Sequence, residues 1–320
     1  MIISDTRLKH LISVAKHGHF GLAAQSLKIS QPALSKSIQG LEAALGVKLL
    51  DRDRSGVVLT KFGELVLQYG DKLLHKQEEM FREIRLLADL DIGLVRVMLG
   101  PYPSIVSGYP AAGRLLAKHP RLSLSLQVQA WRDVINSVIE ERTDFGVAEL
   151  SNWEADPRLV GEVLGQHCGR AFCRPDHPLV NKGPRSLAQF SAYPWATTRI
   201  PGRVAKSFPS EPSTAGRIDP LNGDFVPAIE LTVPMNLALF VTGTDVLAFA
   251  SLAVMEAQLD AGIVVPVPGF TFNTRYGFVH LKTRSLSPAS LAYMAEIRAV
   301  EAEFVQREKQ LAVRYKHLLE

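Results

Sequence analysis

Apolar residues recur at helical spacing in three segments of the first sixty residues. Two short segments, 7–15 and 21–28, are separated by Gly18 and His19, which interrupt the pattern. The third segment begins after Ser30, and one face of its helix carries four apolar residues at spacings of four, three and four: Leu34, Ile38, Leu41 and Leu45. The sequence therefore predicts three helices, with a tight connection before the third, where Ser30 or Gln31 is the N-cap.

The polar face of the third helix carries side chains that a protein core does not need. Ser35, Lys36 and Gln39 lie on this face, and Gln31 and Pro32 lie at its leading end. In a helix-turn-helix unit the second helix lies in the major groove of DNA, where short polar side chains approach the base edges. Gln pairs with adenine, Lys reaches guanine acceptors or phosphates, and Pro contacts a thymine methyl group. We therefore predict that this face binds double-stranded DNA.

A predicted hairpin and the distribution of charge support the same partner. Residues 47–60 contain two short strand patterns around a polar tip. Arg52 and Arg54 at this tip suit phosphates or a minor-groove edge. Residues 1–60 hold eight Lys or Arg and four Asp or Glu, and this net charge of +4 equals that of the whole chain. A basic module joined to a neutral one indicates a polyanion partner for the first.

A long amphipathic helix is predicted from Lys61 to about Leu90. Its apolar residues nearly follow a seven-residue repeat: Phe62, Val66, Tyr69, Leu73, Met80, Ile84 and Leu87. At 1.5 Å per residue the helix is roughly 45 Å long. Because no neighbouring segment covers this stripe, we favour a second copy of the same helix, which gives a homodimer. Packing on the chain's own C-terminal domain is the alternative.

Short apolar strands alternate with helices after Asp91. The predicted elements of the first group are strands at 94–100, 122–128 and 144–150 and helices at 104–118 and 131–142. The second group, about 165–266, has strands around Ala171, Trp195 and Val246 and helices at 237–241 and 252–261, and a charged helix follows at 288–319. This alternation predicts an α/β domain built on parallel sheets with crossover connections.

Composition restricts the class and the location of the protein. Hydrophobic residues make up 47% of the 320 residues and charged residues 21%, which is an ordinary globular mixture. There is no run of about 18 apolar residues, and the N-terminus shows no secretion signal. Two cysteines do not form a disulfide framework, which suits a reducing compartment. We therefore expect a cytoplasmic protein without a membrane partner.

The stretch HFGLAAQSLKISQPALSKSIQGLEAALGVKLLDRDRSGVVLTKFG, residues 19–63, resembles the N-terminal domain of LysR-type transcriptional regulators. The shared positions, in the family's order, are Phe20, Ala23-Ala24, Leu27, Ser30 to Ser35, Ile38, Leu41-Glu42, Leu45-Gly46, Leu49, Arg52, Leu59-Thr60 and Gly63. The resemblance implies a winged helix-turn-helix domain in residues 1–60, a linker and dimerisation helix in 61–90 and an effector-binding domain in 91–320. We expect Thr60 to contact DNA together with Arg52 and Arg54.

The same resemblance implies that the effector-binding domain has two Rossmann-like subdomains, arranged as in periplasmic binding proteins. Subdomain I comprises about 91–164 and 267–320, and subdomain II about 165–266. A small-molecule effector would bind between them, and its binding would change DNA bending and transcription. Homodimers, further assembled into homotetramers, and RNA polymerase are the expected protein partners.

The expected effector site lies in loops at the carboxyl ends of parallel strands, where ligands bind in open α/β sheets. These loops contain Tyr102, Pro103, Ser104, Ala130, Trp131, Ala148, Glu149, Thr197, Thr198, Arg199, Thr244 and Asp245. Free backbone N–H groups at Ser104 would suit a carboxylate or phosphate, and the site would be completed from the other side by Thr197, Thr198 and Arg199. We therefore expect an anionic effector, and no cofactor or metal.

Three other interpretations compete with a ligand-responsive regulator. An enzyme lacks support, since the chain has no GxxxxGK, HExxH or GxSxG motif and no GxGxxG after the first strand. An architectural DNA-binding protein would use its C-terminal part only to oligomerise. Four residues, His167, Cys168, Cys173 and His177, have a spacing that suggests zinc or a thiol switch. We expect neither, because neighbouring strand residues point away from each other.

Overall fold

Four helices and a β-hairpin build the N-terminal unit, Met1–Ile84, of the computed structural model. The elements are α1 (Asp5–His17), α2 (Phe20–Ser26), α3 (Gln31–Leu45), β1 (Leu50–Asp53), β2 (Gly56–Leu59) and α4 (Lys61–Ala88), which continues past the end of this unit. The structure describes residues 4–53, 56–88, 93–150, 156–180, 186–206, 208 and 211–319. The three predicted helices and the predicted hairpin are confirmed.

Local chemistry sets the ends of α3. The Ser30 hydroxyl accepts a hydrogen bond from the Ala33 N–H at 3.3 Å, and Pro32 occupies the first turn. Gly46 ends the helix with φ of +71°, a left-handed conformation that glycine adopts at little cost. Between these ends Leu34 and Leu41 are fully buried against Leu11 of α1. The helix is therefore held by one apolar face and two well-formed ends.

A buried carboxylate and a helix cap hold the root of the hairpin. The Glu42 side chain accepts hydrogen bonds from the N–H groups of Leu49 at 2.9 Å and Leu50 at 3.4 Å, and from Nζ of Lys48 at 2.9 Å. The Thr60 hydroxyl donates to the Lys48 carbonyl at 2.8 Å and accepts from the Gly63 N–H at 3.0 Å, which caps α4. These contacts fix the direction in which β1, β2 and α4 leave the three-helix core.

The C-terminal unit, Arg85–Glu320, is a mixed α/β structure. Its first half contains β3 (Leu94–Leu99), α5 (Pro101–Pro103), a π-helical segment (Ser104–Gly108), α6 (Tyr109–Lys118), β4 (Ser123–Val128), α7 (Trp131–Ile139), β5 (Phe145–Glu149) and β6 (Leu159–Cys173). Its second half contains α8 (Leu187–Ser191), β7 (Trp195–Thr197), α9 (Gly202–Ala205), β8 (Gly216–Ile218), β9 (Phe225–Pro227), β10 (Ile229–Glu230), α10 (Ala238–Val241), β11 (Leu247–Ala250), α11 (Glu256–Asp260), β12 (Val265–Leu281), α12 (Pro288–Arg314) and α13 (Lys316–Leu319).

Two long antiparallel strands run through the centre of this unit. The main sheet has the order β10-β7-β11-β6-β12-β5-β3-β4, so β6 and β12 lie between the strands of subdomain I (β3 to β5) and those of subdomain II (β7, β10 and β11). The predicted parallel strands are joined by antiparallel pairing that was not predicted, since β12 pairs antiparallel with β5 and β6, and β11 with β6. Within each subdomain the strands of the main sheet pair in parallel, whereas β8 and β9 of subdomain II form a separate antiparallel pair.

Each subdomain has its own core on either side of these strands. Subdomain I packs α6 and α12 on the sheet around Phe145, Phe278 and Tyr293. Subdomain II has an aromatic core around Trp195, Phe225 and Phe249. The expected boundaries at about 164/165 and 266/267 fall inside continuous strands, β6 and β12, and therefore remain a prediction. In the described part of the chain, no helix has the length and apolar character that a membrane crossing requires.

Candidate functional site

The polar face of α3 is open to solvent in the N-terminal unit. Gln31, Pro32, Lys36 and Gln39 are exposed, and Ser35 is half-buried. The opposite face of the helix is buried in the core described above. These five side chains thus form a continuous polar surface, and nothing described in this unit covers it.

Polar contacts from α1 fix the remaining face of α3. Arg7 donates from Nη1 to the carbonyl of Gly40 at 3.0 Å, and Nδ1 of His10 lies 2.7 Å from the hydroxyl of Ser37. Because these contacts come from the side of the core, they hold α3 without using its polar face. A rigid reading helix requires such support.

The three residues of the hairpin region that are expected to contact DNA, Arg52, Arg54 and Thr60, differ in how the structure describes them. Arg52 lies in β1 opposite Val57, and its side chain is outside what the structure describes, as is Arg54 altogether. Val57 donates its N–H to the Gly18 carbonyl at 2.9 Å, which ties the hairpin to the α1–α2 turn. The Thr60 hydroxyl is fully used in capping α4, so the structure gives that side chain a structural role.

A cavity of about 410 Å³ lies between the two subdomains, within the usual size of small-molecule sites. Loops at the ends of β3, β4, β5, β7 and β10 form its walls, and β6, β11 and β12 contribute the rest. Eight of the expected effector-binding residues line it: Tyr102, Pro103, Ala130, Trp131, Glu149, Thr197, Thr198 and Arg199.

Four expected effector-binding residues lie elsewhere. Ser104 is not at a helix start, because the helical segment already begins at Pro101, and its N–H donates to the Gly100 carbonyl at 3.1 Å. Its hydroxyl donates to the Pro101 carbonyl at 2.7 Å, so the expected anion site at Ser104 is wrong. Ala148 is buried in the sheet beneath the cavity lining.

Thr244 and Asp245 belong to a surface cluster of subdomain II and do not line the cavity. Asp245 accepts from Nη2 of Arg174 at 2.8 Å, and the Thr244 carbonyl accepts from Nε of the same arginine at 3.1 Å. Both residues follow α10 in the chain. The structure therefore does not bring these two residues to the cavity where the effector is expected.

The arginine that lines the cavity is already paired. Arg199 lies 3.0 Å from Glu230 and 3.0 Å from Asp219, measured from Nε and Nη1 to the carboxylate oxygens. The hydrogen bond to Glu230 is the main reason that the pKa of Arg199 is raised above its ordinary value. Asp133 and Glu149 add further carboxylates to the lining. The expected cationic pocket for an anion is therefore not what the described lining presents.

Polar contacts join the two subdomains on both sides of the cavity. Arg132 of α7 places Nε and Nη2 each 3.1 Å from a carboxylate oxygen of Asp224, which is fully buried in subdomain II. Arg203 of α9 binds Glu149 at the end of β5, with Nε 2.6 Å from Oε1. The Tyr102 hydroxyl accepts from the Ser251 N–H at 2.6 Å. These contacts connect the two subdomains directly across the cleft.

Sequence reasoning missed the floor of the cavity, which β6 and β12 provide. The floor residues are His167, Gly169, Phe272, Thr274 and Tyr276. On β12 they alternate with outward residues, and this period-two pattern in FTFNTRYGF was the signal available in the sequence. His167 had entered the sequence analysis only as a metal or redox candidate.

The metal and thiol interpretations find no support in the described residues. Cys168 and Cys173 lie five positions apart on β6, which separates them by roughly 16 Å at about 3.3 Å per residue. His177 accepts from the Leu179 N–H at 3.0 Å and packs against the Tyr193 ring. Within the described part of the chain, no three His, Cys, Asp or Glu side chains gather as a metal site.

Comparisons with known proteins agree with both units. The bacterial regulatory helix-turn-helix model of the lysR family matches residues 6–64, and the LysR substrate binding domain matches residues 89–302. The SDS degradation transcriptional activation protein of Pseudomonas sp. (strain ATCC 19151) is 35% identical over 297 residues, which are 91% of this chain and 94% of that protein.

Two solved structures share the fold at low sequence identity. CbnR, a LysR family transcriptional regulator, superposes with a TM-score of 0.63 at 17% identity and covers 93% of this chain and 99% of its own. Full-length CbnR complexed with its target DNA gives 0.60 at 18% identity and covers 93% of this chain and 100% of its own. The chain therefore belongs to the LysR family of bacterial transcriptional regulators, with an N-terminal domain that binds DNA and a C-terminal domain that binds an effector.

Proposed function

We propose that the exposed polar face of α3 reads the bases of the operator. The observation that carries this proposal is that Gln31, Pro32, Ser35, Lys36 and Gln39 form one polar surface on a helix whose other sides are buried or braced. Base-edge contacts from such a face specify sequence, whereas arginines of the hairpin contact phosphates and add affinity without specificity. Arg52 and Arg54 take that second role in the proposal.

A binding experiment separates these two roles. The full chain first selects duplexes from a random 40-bp library, and affinity is then measured for a selected duplex and for an unrelated one. Lys36→Ala should weaken binding to the selected duplex by about 10- to 100-fold and leave the unrelated duplex nearly unchanged. Arg52→Ala should weaken both and lower the salt slope by about one.

Lys206→Ala is the matched control, since it removes the same charge from an exposed position in the C-terminal unit. It should change neither affinity. Unchanged affinity for the selected duplex in the Lys36 variant would contradict docking through α3.

We propose that α4 holds two copies of the chain together. Its exposed apolar side chains are Phe62, Leu65, Tyr69, Leu73, Met80, Phe81 and Ile84, each 46% or more exposed. The double variant Leu73→Lys/Ile84→Lys should reduce the solution mass from two or four chains of 35.2 kDa towards fewer. Glu64→Lys adds the same net charge at an exposed position of the same helix and should leave the mass unchanged. An unchanged mass in the double variant would argue against α4.

We propose that a small molecule in the cavity between the subdomains controls how the DNA-binding heads are held, and hence DNA bending and transcription by RNA polymerase. This places the function in the bacterial cytoplasm, with the DNA. A regulator returns its ligand unchanged, so recovery of a bound compound without turnover is the test against an enzyme. If no compound binds, the result favours the interpretation that the chain is an architectural DNA-binding protein whose C-terminal part only oligomerises.

The name of the Pseudomonas relative refers to SDS degradation, so alkyl sulfates and their breakdown products are the first compounds to test. An anionic head group, as expected from the sequence, has to displace Glu230 or Asp219 from Arg199 to gain a cation. A thermal-shift series with dodecyl alcohol, dodecanoate and dodecyl sulfate below its micelle concentration measures whether that exchange occurs. Ligand at 100 times its dissociation constant stabilises the domain by about 2.7 kcal/mol.

A further inference from the structure

Two glycines of α4 lie where this helix meets the DNA-binding head, the part of the N-terminal unit that comprises α1 to β2. Gly63 and Gly70 are buried, and because they are seven residues apart they lie on nearly the same face of the helix. Leu74, one turn after Gly70, is buried as well. Tyr69 and Leu73 of the apolar stripe proposed for a second copy are each 59% exposed on the neighbouring face. One face of α4 therefore packs on its own head, and the next is open to a partner.

The first glycine fixes the beginning of α4 through the backbone. A Cβ at Gly63 would lie 2.1 Å from the carbonyl oxygen of Leu49, so the two backbones approach with no side chain between them. The Thr60 hydroxyl adds hydrogen bonds to the Lys48 carbonyl and the Gly63 N–H, at 2.8 and 3.0 Å. The start of α4 is therefore held at one place on the head.

The second glycine meets a side chain of α1. A Cβ at Gly70 would lie 2.9 Å from Cδ2 of Leu8, 3.7 Å from its Cγ and 3.8 Å from its Cδ1. Leu8 is only 4% exposed, so its side chain occupies the space that a larger residue at position 70 would need. The two glycines are separated by about 10 Å along the helix axis. Two contacts at this separation determine the direction in which α4 leaves the head.

On its other side α1 is attached to α3. Arg7, the neighbour of Leu8, donates to the Gly40 carbonyl at 3.0 Å, and its guanidinium atoms lie 3.1 to 3.5 Å from the position of a Cβ at Gly40. Nδ1 of His10 lies 2.7 Å from the Ser37 hydroxyl. Because these contacts join α1 to α3, a change at Leu8 alters the direction of α4 relative to both helices together.

A small displacement at Gly70 becomes a large one along α4. An added methyl group needs roughly 1 Å more room than the present distance to Leu8 allows. With the start of α4 fixed about 10 Å away, a shift of about 1 Å turns the helix by about 5°. Over the remaining length to Ala88, roughly 38 Å, this angle displaces the head by about 3–4 Å relative to the far end of α4. One base-pair step of DNA is roughly 3.4 Å long.

We propose that the contact of Leu8 with Gly70 sets the distance between the two DNA half-sites that a dimer recognises. Both are positioning residues, since they act on DNA through the direction of α4 and contact no base. The inference rests on the proposed reading of DNA by α3 and on the proposed dimer through α4. It adds the contact that determines the spacing of the operator.

Operators with a variable spacer test this assignment with the full chain. Two copies of the half-site found in the selected duplexes are separated by spacers that vary over about one helical turn, and the preferred spacer is determined by selection. Because both heads of a dimer move, Gly70→Ala should change the preferred spacer by about one or two base pairs. The preferred bases within each half-site should stay the same, since the contacts that hold α3 are untouched.

A compensating variant connects the change to this contact. Leu8→Val lacks both Cδ atoms, so Leu8→Val/Gly70→Ala should return the preferred spacer towards that of the unmodified chain, which a general loss of stability would not do. Leu8→Val alone lets α4 approach α1 and should change the spacer in the opposite direction, which keeps the test valid if Gly70→Ala folds poorly. Gly113→Ala is the matched control, because a Cβ there meets nothing within 4 Å. It should leave the preferred spacer unchanged.

The outcomes separate the inference from the proposals on which it rests. An unchanged spacer in both Gly70→Ala and Leu8→Val overturns the inference and leaves reading by α3 and the dimer through α4 intact. A changed spacer that the double variant does not reverse overturns the role of the contact between Leu8 and Gly70. Altered base preferences within the half-site overturn the claim that the contact acts on spacing alone. Selection of a single half-site by the unmodified chain, without any preferred spacer, contradicts the proposed dimer on DNA and overturns the inference with it.

Discussion

The ion pair between Arg132 and Asp224 joins the two subdomains, and removing it tests how much this contact stabilises the C-terminal unit. Asp224 is fully buried, and it also accepts the Gly202 N–H at 2.8 Å. Arg132 supplies two nitrogens at 3.1 Å, packs on the Trp131 ring at 4.1 Å, and keeps 38% of its side chain exposed. Arg132→Met retains much of the packing volume and removes the charge from beside a buried carboxylate.

The expected cost follows from these numbers. Removing one partner of a buried ion pair costs about 3–5 kcal/mol. The exposure of Arg132 and the remaining N–H donor at Asp224 reduce this penalty, because solvent screens the exposed partner. We therefore expect the C-terminal unit to lose about 2 kcal/mol of unfolding free energy, roughly a 30-fold change in its equilibrium constant.

Tryptophan fluorescence provides the assay for this unit alone. The three tryptophans of the chain, at positions 131, 153 and 195, all lie in the C-terminal unit. Urea unfolding of the full chain, followed by their emission, therefore reports this unit without contribution from the DNA-binding unit. The shift in midpoint at constant slope gives the free-energy change.

Arg158→Met is the matched control, because Arg158 and Asp156 form an exposed pair within one loop. It should leave the urea midpoint nearly unchanged, because solvent screens an exposed ion pair. A loss in Arg132→Met no larger than in this control would refute the argument that the pair bridges the subdomains. A double variant with Asp224→Asn should cost less than the sum of the two single changes, since both act on one contact.

Two further predictions concern the N-terminal unit, and a comparison variant of the second lies in the C-terminal unit. Burial of Glu42 opposes its ionisation, but hydrogen bonds from Lys48, Leu49 and Leu50 outweigh this effect and lower its pKa. The contribution of Glu42 to the stability of the folded unit is therefore complete above about pH 4.5, and it is lost as the pH falls through the lowered pKa. Glu42→Gln should thus destabilise α3 by about 1–2 kcal/mol at pH 7, and the stability difference from the unmodified chain should shrink below pH 4.5. Hydrogen exchange of the α3 amides measures this difference. A stability difference that stays constant down to pH 3 would argue against a role for the ionised carboxylate. Gly63→Ala should destabilise the hairpin root by about 1–3 kcal/mol, because its Cβ would lie 2.1 Å from the Leu49 carbonyl oxygen. Gly113→Ala in α6, where a Cβ meets nothing within 4 Å, should instead stabilise its helix by about 0.5–1 kcal/mol, and equal effects in the two thermal unfolding measurements would contradict the steric reasoning.

Local patterns in the sequence predict the DNA-binding unit well because its elements depend on neighbours in the chain. The apolar spacing of α3, its Ser30 cap and its Gly46 end are all set within seventeen residues. The exposed face follows from the same periodicity, since residues that do not enter the core of a small domain must face outward. The contacts of Thr60 were missed, because a hydroxyl that caps a helix and a hydroxyl that meets DNA have the same sequence signal.

The cleft was harder to predict because its residues meet only through the fold. Ser104 was expected at a helix start, yet the preceding Pro101 and Pro103 begin the helical segment earlier, as proline tolerates a first turn. Patterns in the sequence predicted only short strands between helices and therefore missed β12. This strand is seventeen residues long and belongs to both subdomains. Arg199 and Glu230 pair across thirty-one positions of the chain, and no local sequence pattern predicts a contact of that separation.

The strand pair formed by β6 and β12 determines how the two subdomains can rotate relative to each other. Because the subdomains are joined by a hydrogen-bonded two-stranded ribbon, any rotation of one subdomain against the other must twist this ribbon along its length. The ladder is interrupted between Val267 and Thr271 and between Tyr276 and Gly277, and such irregular pairing increases the local twist of a strand pair.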